Sequence, residues 1–347
     1  VKKIIQFILF LSIGVVIMTL VYQSQNSAFM EQCRIDGVPT DKCSLTDKLL
    51  TDFSTIHFGW LLSVVGAFTL SNVFRALRWQ MMFPPMGYKT KFQNGFLTIL
   101  LGYFANLGLP RMGEVVRAGS LARYEGIPLE KVVGTMVVDR LMDFLCLGVV
   151  VGLAFAFQGG TLLQFLSQNT TDTDGDSITR TQLFYWLLGI TTILVVSAWQ
   201  LRFKLMKTKL FIVFEGLLLG FRDGLRSVFH LEKPWLFILY SVGIWVMFYF
   251  QCYWNLLAFP PTAQLGMQEA IMVFVFGTLG FVIPSPGGMG TFHALTIAGL
   301  ALYGVSGSDG FSYANIAFFT IQIFYNIIGG IISLILLPII NKRKREK

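Results

Sequence analysis

The sequence predicts an all-α, polytopic helical membrane protein with about six full spans and two broken segments, re-entrant or short hairpins, entering from opposite faces. Three observations carry this. Of 347 residues, 54% are apolar, only 13% are charged and 33 are phenylalanine, a composition rare in soluble chains. Several apolar runs approach or exceed the roughly 20 residues that cross a bilayer. The basic residues also segregate to alternate connections between those runs, so the net charge of +8 reads as membrane orientation and not as nucleic-acid binding.

The first run, 4–22, follows Lys2 and Lys3. Its length, and the lack of a small-x-small cleavage site after it, predict a retained helix and not a secretory signal. Further full spans are expected near 58–78, 132–158, 183–201, 235–258 and 313–338. The apolar stretches 94–110 and 268–304 are shorter and interrupted by glycine or proline. No internal repeat or soluble domain is visible, so residues 1–347 read as one transmembrane domain. Its expected parts outside the spans are an outer loop at 23–57, a cytoplasmic segment at 202–234 with an amphipathic helix over 209–230, and a basic cytoplasmic tail at 341–347.

With a cytoplasmic amino terminus, the inner segments 75–93, 111–131, 202–234 and the tail, with Lys2 and Lys3, hold 22 of the 27 Lys and Arg residues. That asymmetry is a positive-inside signal, and the acidic stretch Thr171–Ser177 then falls outside. Both termini are expected in the cytoplasm of a bacterium, with the chain in its inner membrane. Because 75–93 and 111–131 are both inside, 94–110 enters and returns; 268–304 does the same from outside. Opposed broken segments are a transporter pattern, and ordinary short hairpins satisfy the same spacing.

The charged residues fall in four groups. In Asn106–Arg117 (NLGLPRMGEVVR), Pro110 breaks a helix and Arg111, Glu114 and Arg117 follow at three-residue spacing. They share a helix face, Glu114 can pair with either arginine, and guanidinium suits phosphate geometry. The readings are a lipid-phosphate site or a structural ion pair. Arg75 and Arg78 sit on one face at the end of a span, as phosphate ligands or snorkelling anchors. Asp139, Arg140 and Asp143 lie inside a span, where ionisable groups are costly and face a polar interior; they are a candidate relay or gate, or a structural pair. In Ile283–His293 (IPSPGGMGTFH), Pro284, Pro286, Gly287, Gly288 and Gly290 prohibit a continuous helix. The helix starting near Thr291 then offers its amino terminus to an anion, with His293 in its first turn as a possible phosphate donor or proton relay.

Gln251 with Asn255, and Gln322 with Asn326, line a polar path or bond between helices. Cys33 and Cys43 share the first outer loop, where oxidation to a disulfide is possible. No metal spacing, cofactor motif or catalytic constellation is apparent, so no metal, cofactor or catalytic residue is expected.

The ordered set RALRW, NLGLPRMGEVVR, VVDRLMD and PSPGGMGTFH, from about residue 70 onward, resembles the transmembrane region of lysylphosphatidylglycerol synthases, the flippase-like family. The resemblance implies an inner-membrane protein that handles lipids, often moving them between leaflets. It equates Arg111, Glu114 and Arg117 with the family's arginine-glutamate motif and Pro284–Gly290 with its Pro-Gly-Gly motif. Full synthases add a soluble aminoacyl-transferase domain after this region, so lipid lysylation is not expected of this chain. His293 stands where many members carry Glu. The expected function is translocation of an amphipathic, anionic lipid, with membrane lipids, and an envelope lipid-modifying enzyme, as partners. The alternatives are an intramembrane enzyme acting on a lipid headgroup and a non-transporting envelope scaffold.

Overall fold

The computed structural model describes residues 2–35, 43–108, 112–169, 231–283 and 285–342. Its regular elements among these residues are helical: α1 (Lys2–Ile35), α2 (Leu45–Ser54), α3 (Phe58–Gln80), α4 (Phe92–Gly108), α5 (Met112–Glu125), α6 (Leu129–Asn169), α7 (Pro234–Ala258), α8 (Met267–Val282), α9 (Thr291–Ala301), α10 (Gly307–Phe318) and α11 (Asn326–Ile340). A π-helical stretch, Phe319–Tyr325, joins α10 to α11. Among the described residues, four helical rods are long and apolar enough to cross a membrane: 58–86, 129–164, 234–258 and 307–340. The chain is an all-α polytopic membrane protein. The expected span at 183–201, the amphipathic helix at 209–230 and the tail past Lys342 lie outside the described residues.

The expected outer loop at 23–57 is largely helical. With no Gly or Pro between Val15 and Ile35, nothing stops α1 after its apolar run, and it continues to Ile35. Ser44 then caps α2, its Oγ accepting from the Asp47 N–H. Cys33 and Cys43 are joined by a disulfide, with Cα atoms 6.3 Å apart, tying the end of α1 to the start of α2.

Side-chain pairings sort the helix ends onto two faces. At one end, Glu125 of α5 accepts from the Lys91 N–H and from Asn94 Nδ2 on α4. Asn94 and Asn341, just past α11, bond reciprocally at 3.0 and 2.8 Å. Gln80 at the end of α3 donates to the Thr90 carbonyl. Lys89, Lys91, Lys131, Lys233 and Lys342 are exposed here, so this is the basic end. At the opposite end, the His57 N–H donates to the Ala258 carbonyl, bringing the start of α3 to the end of α7, and Tyr249 of α7 reaches the Met267 carbonyl of α8. A core of Trp79, Phe83, Leu121 and Val132 fills the basic end, and one of Leu256, Phe259, Ala270 and Leu300 the other.

Two hairpins open on opposite ends, but the first differs from expectation: 94–110 does not turn back on itself, being part of the single helix α4, and the return runs through α5, within the stretch 111–131 that read as an inner segment. α4 and α5 start and finish at the basic end, and α8 and α9 at the opposite end. Each is drawn tight by glycine. A Cβ on Gly102 would lie 2.9 Å from the Gly113 carbonyl oxygen, and one on Gly280 would lie 2.6 Å from the Phe292 Cα. Only glycine allows these axes so close. The turn Pro286–Gly288 at the tip of the second hairpin packs against α4 of the first.

Candidate functional site

The charged groups that read as separate in sequence converge on one buried cluster. α3 presents Arg75 and Arg78, α5 presents Arg117, and α6 presents Asp139 and Asp143 one turn apart. Arg78 Nη2 reaches Asp139 Oδ1 at 2.5 Å and Asp143 Oδ1 at 2.7 Å. Arg75 Nη1 lies 2.7 Å from Asp143 Oδ2 and 3.6 Å from Asp139 Oδ2. Arg117 Nη1 lies 3.2 Å from Asp139 Oδ2. Arg78 also donates to Ser241 of α7 at 3.2 Å, and its guanidinium lies over the Phe237 ring. Asp139 and Arg78 have no exposure at all, and Arg75 and Arg117 only 4%. Asp139 is ten residues into α6, about 15 Å along its axis. An ionised group at such depth persists only with its charge matched and its hydrogen bonds made.

This geometry corrects two expected pairings. Glu114 does not pair with Arg117: its carboxylate takes Arg140 Nε at 2.8 Å, at the cluster's half-exposed edge. Asp139, Arg140 and Asp143 are not a self-contained gate, because Arg75, Arg78 and Arg117 supply most of the countercharge, with Arg140 3.5 Å from Asp143. The reason is direction: Asp139 and Asp143 point inward toward α3 and α5, whereas Arg140, one residue on, points toward the surface. Arg75 and Arg78 are likewise not snorkelling anchors, being buried. Arg111, in the same motif, lies outside the described residues.

The carboxylates do not saturate the arginines. Among the described residues, four guanidinium groups face Asp139, Asp143 and Glu114, leaving one positive charge in excess. Arg117 has Nε and Nη2 buried without a hydrogen-bond partner, and Arg75 has Nε so. Arg117 is held by its stack on Trp79, with the guanidinium carbon 3.9 Å from the ring centroid. Trp79 is fixed in turn by donating to Thr135 Oγ1 at 2.8 Å. Sequence reading passed over Trp79 as a support; its place beside Arg78 in the RALRW run was the available signal. Asn106 was also missed: its Oδ1 accepts from the Gly113 N–H at 2.8 Å, satisfying an otherwise free donor in the first turn of α5.

The Pro-Gly-Gly segment is built differently. Pro284 lies outside the described residues; Pro286–Gly288 form a short turn, and Gly288 and Gly290 have φ of 83° and 80°. The space beside Gly290 is taken by α1, since a Cβ there would meet Ile17 at 2.7 Å and the Met18 nitrogen at 3.0 Å. Thr291 Oγ1 donates to the Gly280 carbonyl at 2.7 Å and pairs with Ser285. His293 is 1% exposed, ringed by Phe292, Phe311 and Phe318. Asn315 is its polar neighbour, but no group makes a hydrogen bond of good geometry to either ring nitrogen. The expected first-turn phosphate donor is thus a core residue, because its helix face turns into the aromatic packing. Asn326 donates to Gln322 at 2.8 Å, while its own Oδ1 is buried without a hydrogen-bond partner.

A cavity of about 760 Å³ lies on the other side of α3 and α4 from the cluster, closed behind by α10, the π-helical stretch and α11. Its lining is apolar apart from Thr69, Gln93, Thr320 and Tyr325. Phe68, Tyr103 and Tyr325 pack between cavity and cluster, with Phe68 5.7 Å from Tyr103 and 4.8 Å from Tyr325.

Residues 45–329, which include the cluster and both hairpins, match the profile of the lysylphosphatidylglycerol synthase TM region. The chain belongs to that family. The lysylphosphatidylglycerol synthase TM region family is a membrane-protein family linked to lipid handling. The chain is also 37% identical over 86 residues to UPF0104 membrane protein MJ1595 of Methanocaldococcus jannaschii; the match covers 23% of this chain and 26% of that protein's length. No solved structure matches.

Proposed function

We propose that this chain binds an amphipathic, anionic lipid and moves it between the leaflets of a bacterial cytoplasmic membrane, with both termini on the cytoplasmic side. The observation that carries the reading is Arg117: a buried guanidinium with two free N–H groups, inside a cluster holding one positive charge too many. Such a group donates to phosphate oxygens without first breaking its own bonds. Asp139 and Asp143 hold the arginines in place while the headgroup is absent. The Arg140–Glu114 pair, half-exposed at the edge, is the polar contact a headgroup exchanges with on its way in. Membership of a lipid-handling family supports the substrate class.

The test is leaflet exchange in vesicles containing purified protein, with labelled phosphatidylglycerol and phosphatidylcholine. Arg117→Gln is expected to slow exchange of the anionic lipid while its thermal stability stays near wild type, because Gln keeps a donor over Trp79. Exchange of both lipids at wild-type rates by folded Arg117→Gln would reject the headgroup role and leave a structural cluster.

A further inference from the structure

The apolar cavity runs the depth of the bundle. Its back wall is lined from Ile316 to Ile340, about 24 residues or ~36 Å of helix, against a hydrocarbon core of about 30 Å. In front, Phe58, Leu61, Val65 and Thr69 of α3 cover the half nearer the opposite end, and Phe92, Phe96 and Leu100 of α4 cover the half nearer the basic end. Across its middle runs the 3.1 Å bond from Thr69 to the Tyr325 hydroxyl.

Its two ends differ. At the basic end the lining finishes at Gln93 and Ile340, beside exposed Lys91 and Lys342. At the opposite end it stops against Phe53, Ile56 and Phe58. Phe53 of α2 sits edge-on to Phe319 at 6.1 Å. The charges nearby are spent on each other: Lys48 reaches Asp52 at 2.6 Å and Asp309 at 2.7 Å, and Ser312 donates to Asp52. One end therefore offers cations to a headgroup and the other closes on apolar rings.

Two ordinary lipids, one from each leaflet, need a headgroup mouth at both ends. A diacyl lipid anchored at the basic end fills only the near half. The structure assigns this groove to a single hydrocarbon chain longer than one leaflet, with an anionic headgroup at Lys91 and Lys342, that is, a polyprenyl phosphate. The assignment names the substrate class within the lipid-transport reading and rests on it.

Three probes share a phosphate monoester and differ only in tail: farnesyl phosphate, heptaprenyl phosphate and dioleoyl phosphatidate. In binding measurements on the detergent-solubilised chain, heptaprenyl phosphate is expected to bind about tenfold tighter than either of the others, which is about 1.4 kcal/mol of added contact. Gly329→Leu and Ile332→Trp fill the groove and are expected to bring heptaprenyl phosphate down to the farnesyl level. Ile335→Trp, on the outer face of the same helix, leaves the preference intact. A photo-cross-linker at position 328 is expected to label heptaprenyl phosphate. Equal binding of all three probes by the wild-type chain overturns the assignment, as does cross-linking to phosphatidate or to the chain's own residues 183–201 in place of the prenyl chain. Slow exchange in Arg117→Gln without tail selectivity rejects the groove assignment alone. Tail selectivity with normal exchange in Arg117→Gln rejects the headgroup route alone.

Discussion

The hairpins α4–α5 and α8–α9 solve one packing problem with opposite chemistry. Both pack a short helix against the next through a glycine contact, and they enter from opposite ends of the bundle. In the first, the returning helix carries Glu114 and Arg117, and the charge of buried Arg117 is answered by Asp139 on α6, a carboxylate it shares with Arg78 of α3. In the second, Thr291 bonds within the hairpin to the Gly280 carbonyl and to Ser285, and its buried ring, His293, sits among phenylalanines with no hydrogen bond to either nitrogen. A short helix can thus carry charge in the membrane interior where neighbours answer it, and elsewhere its buried side chains are neutral.

The largest expected effect separates the two directly. Asp139→Asn leaves Arg78, Arg75 and Arg117 without their shared carboxylate and is expected to cost about 3–5 kcal/mol, measured as denaturant or thermal unfolding in detergent. His293→Phe in the second hairpin is expected to change stability by less than about 1 kcal/mol, because an apolar ring replaces one whose nitrogens make no bond. Similar losses for both would erase the distinction.

The shared device comes next. Gly113→Ala places a Cβ on the Gly102 carbonyl and Asn106, and Gly280→Ala places one on the Phe292 backbone. Each is expected to destabilise by about 1–3 kcal/mol through overpacking. Gly95→Ala and Gly134→Ala, whose new Cβ atoms meet nothing within 4 Å, are expected to be neutral or stabilising by up to about 1 kcal/mol. A null result at Gly113 alone would mean that the first hairpin is held by its charges and not by its crossing.

The clamp of α2 onto α10 sharpens the picture at the opposite end. Burial lowers the Lys48 pKa, but hydrogen bonds and charge from Asp309 and Asp52 outweigh it, so it stands above its ordinary 10.5. A group whose pKa rises on folding contributes fully below its unfolded pKa and loses that contribution as pH climbs through the folded one. The stability gap between wild type and Lys48→Met is therefore expected to hold steady to about pH 10 and to close above it. A gap that instead closes on acidification from neutral would assign the clamp to the carboxylates. The smallest expected effect is Glu114→Gln: the half-exposed pair with Arg140 contributes about 0–1 kcal/mol.

Much of the architecture was legible in the chain. The spans at 58–78, 132–158 and 235–258 lie within α3, α6 and α7, because apolar runs of bilayer length admit few other structures. Of the two interrupted stretches, 268–304 holds nearly all of its hairpin, whereas 94–110 falls in one helix whose return, α5, lay in the stretch that read as an inner segment. The cluster was legible in its members, since Arg75, Arg78, Arg117, Asp139 and Asp143 each stood out as charges in apolar sequence. Their pairing was not, because Arg78 and Asp139 are 61 positions apart and spacing along one helix says nothing of which neighbour it faces. That is also why Glu114 was matched to its own helix and His293 to a ligand.

By itself, then, the sequence determined which segments are helical, which fall short of crossing and where charge is buried, since length, hydropathy and breakers are local quantities. Tertiary structure decided that three arginines share two aspartates, that α1 covers Gly290, and that α3, α4 and α10–α11 leave a groove as deep as the bilayer between them. Each of these depends on the distance between residues remote along the chain, set by how helix faces dock, and periodicity does not encode it.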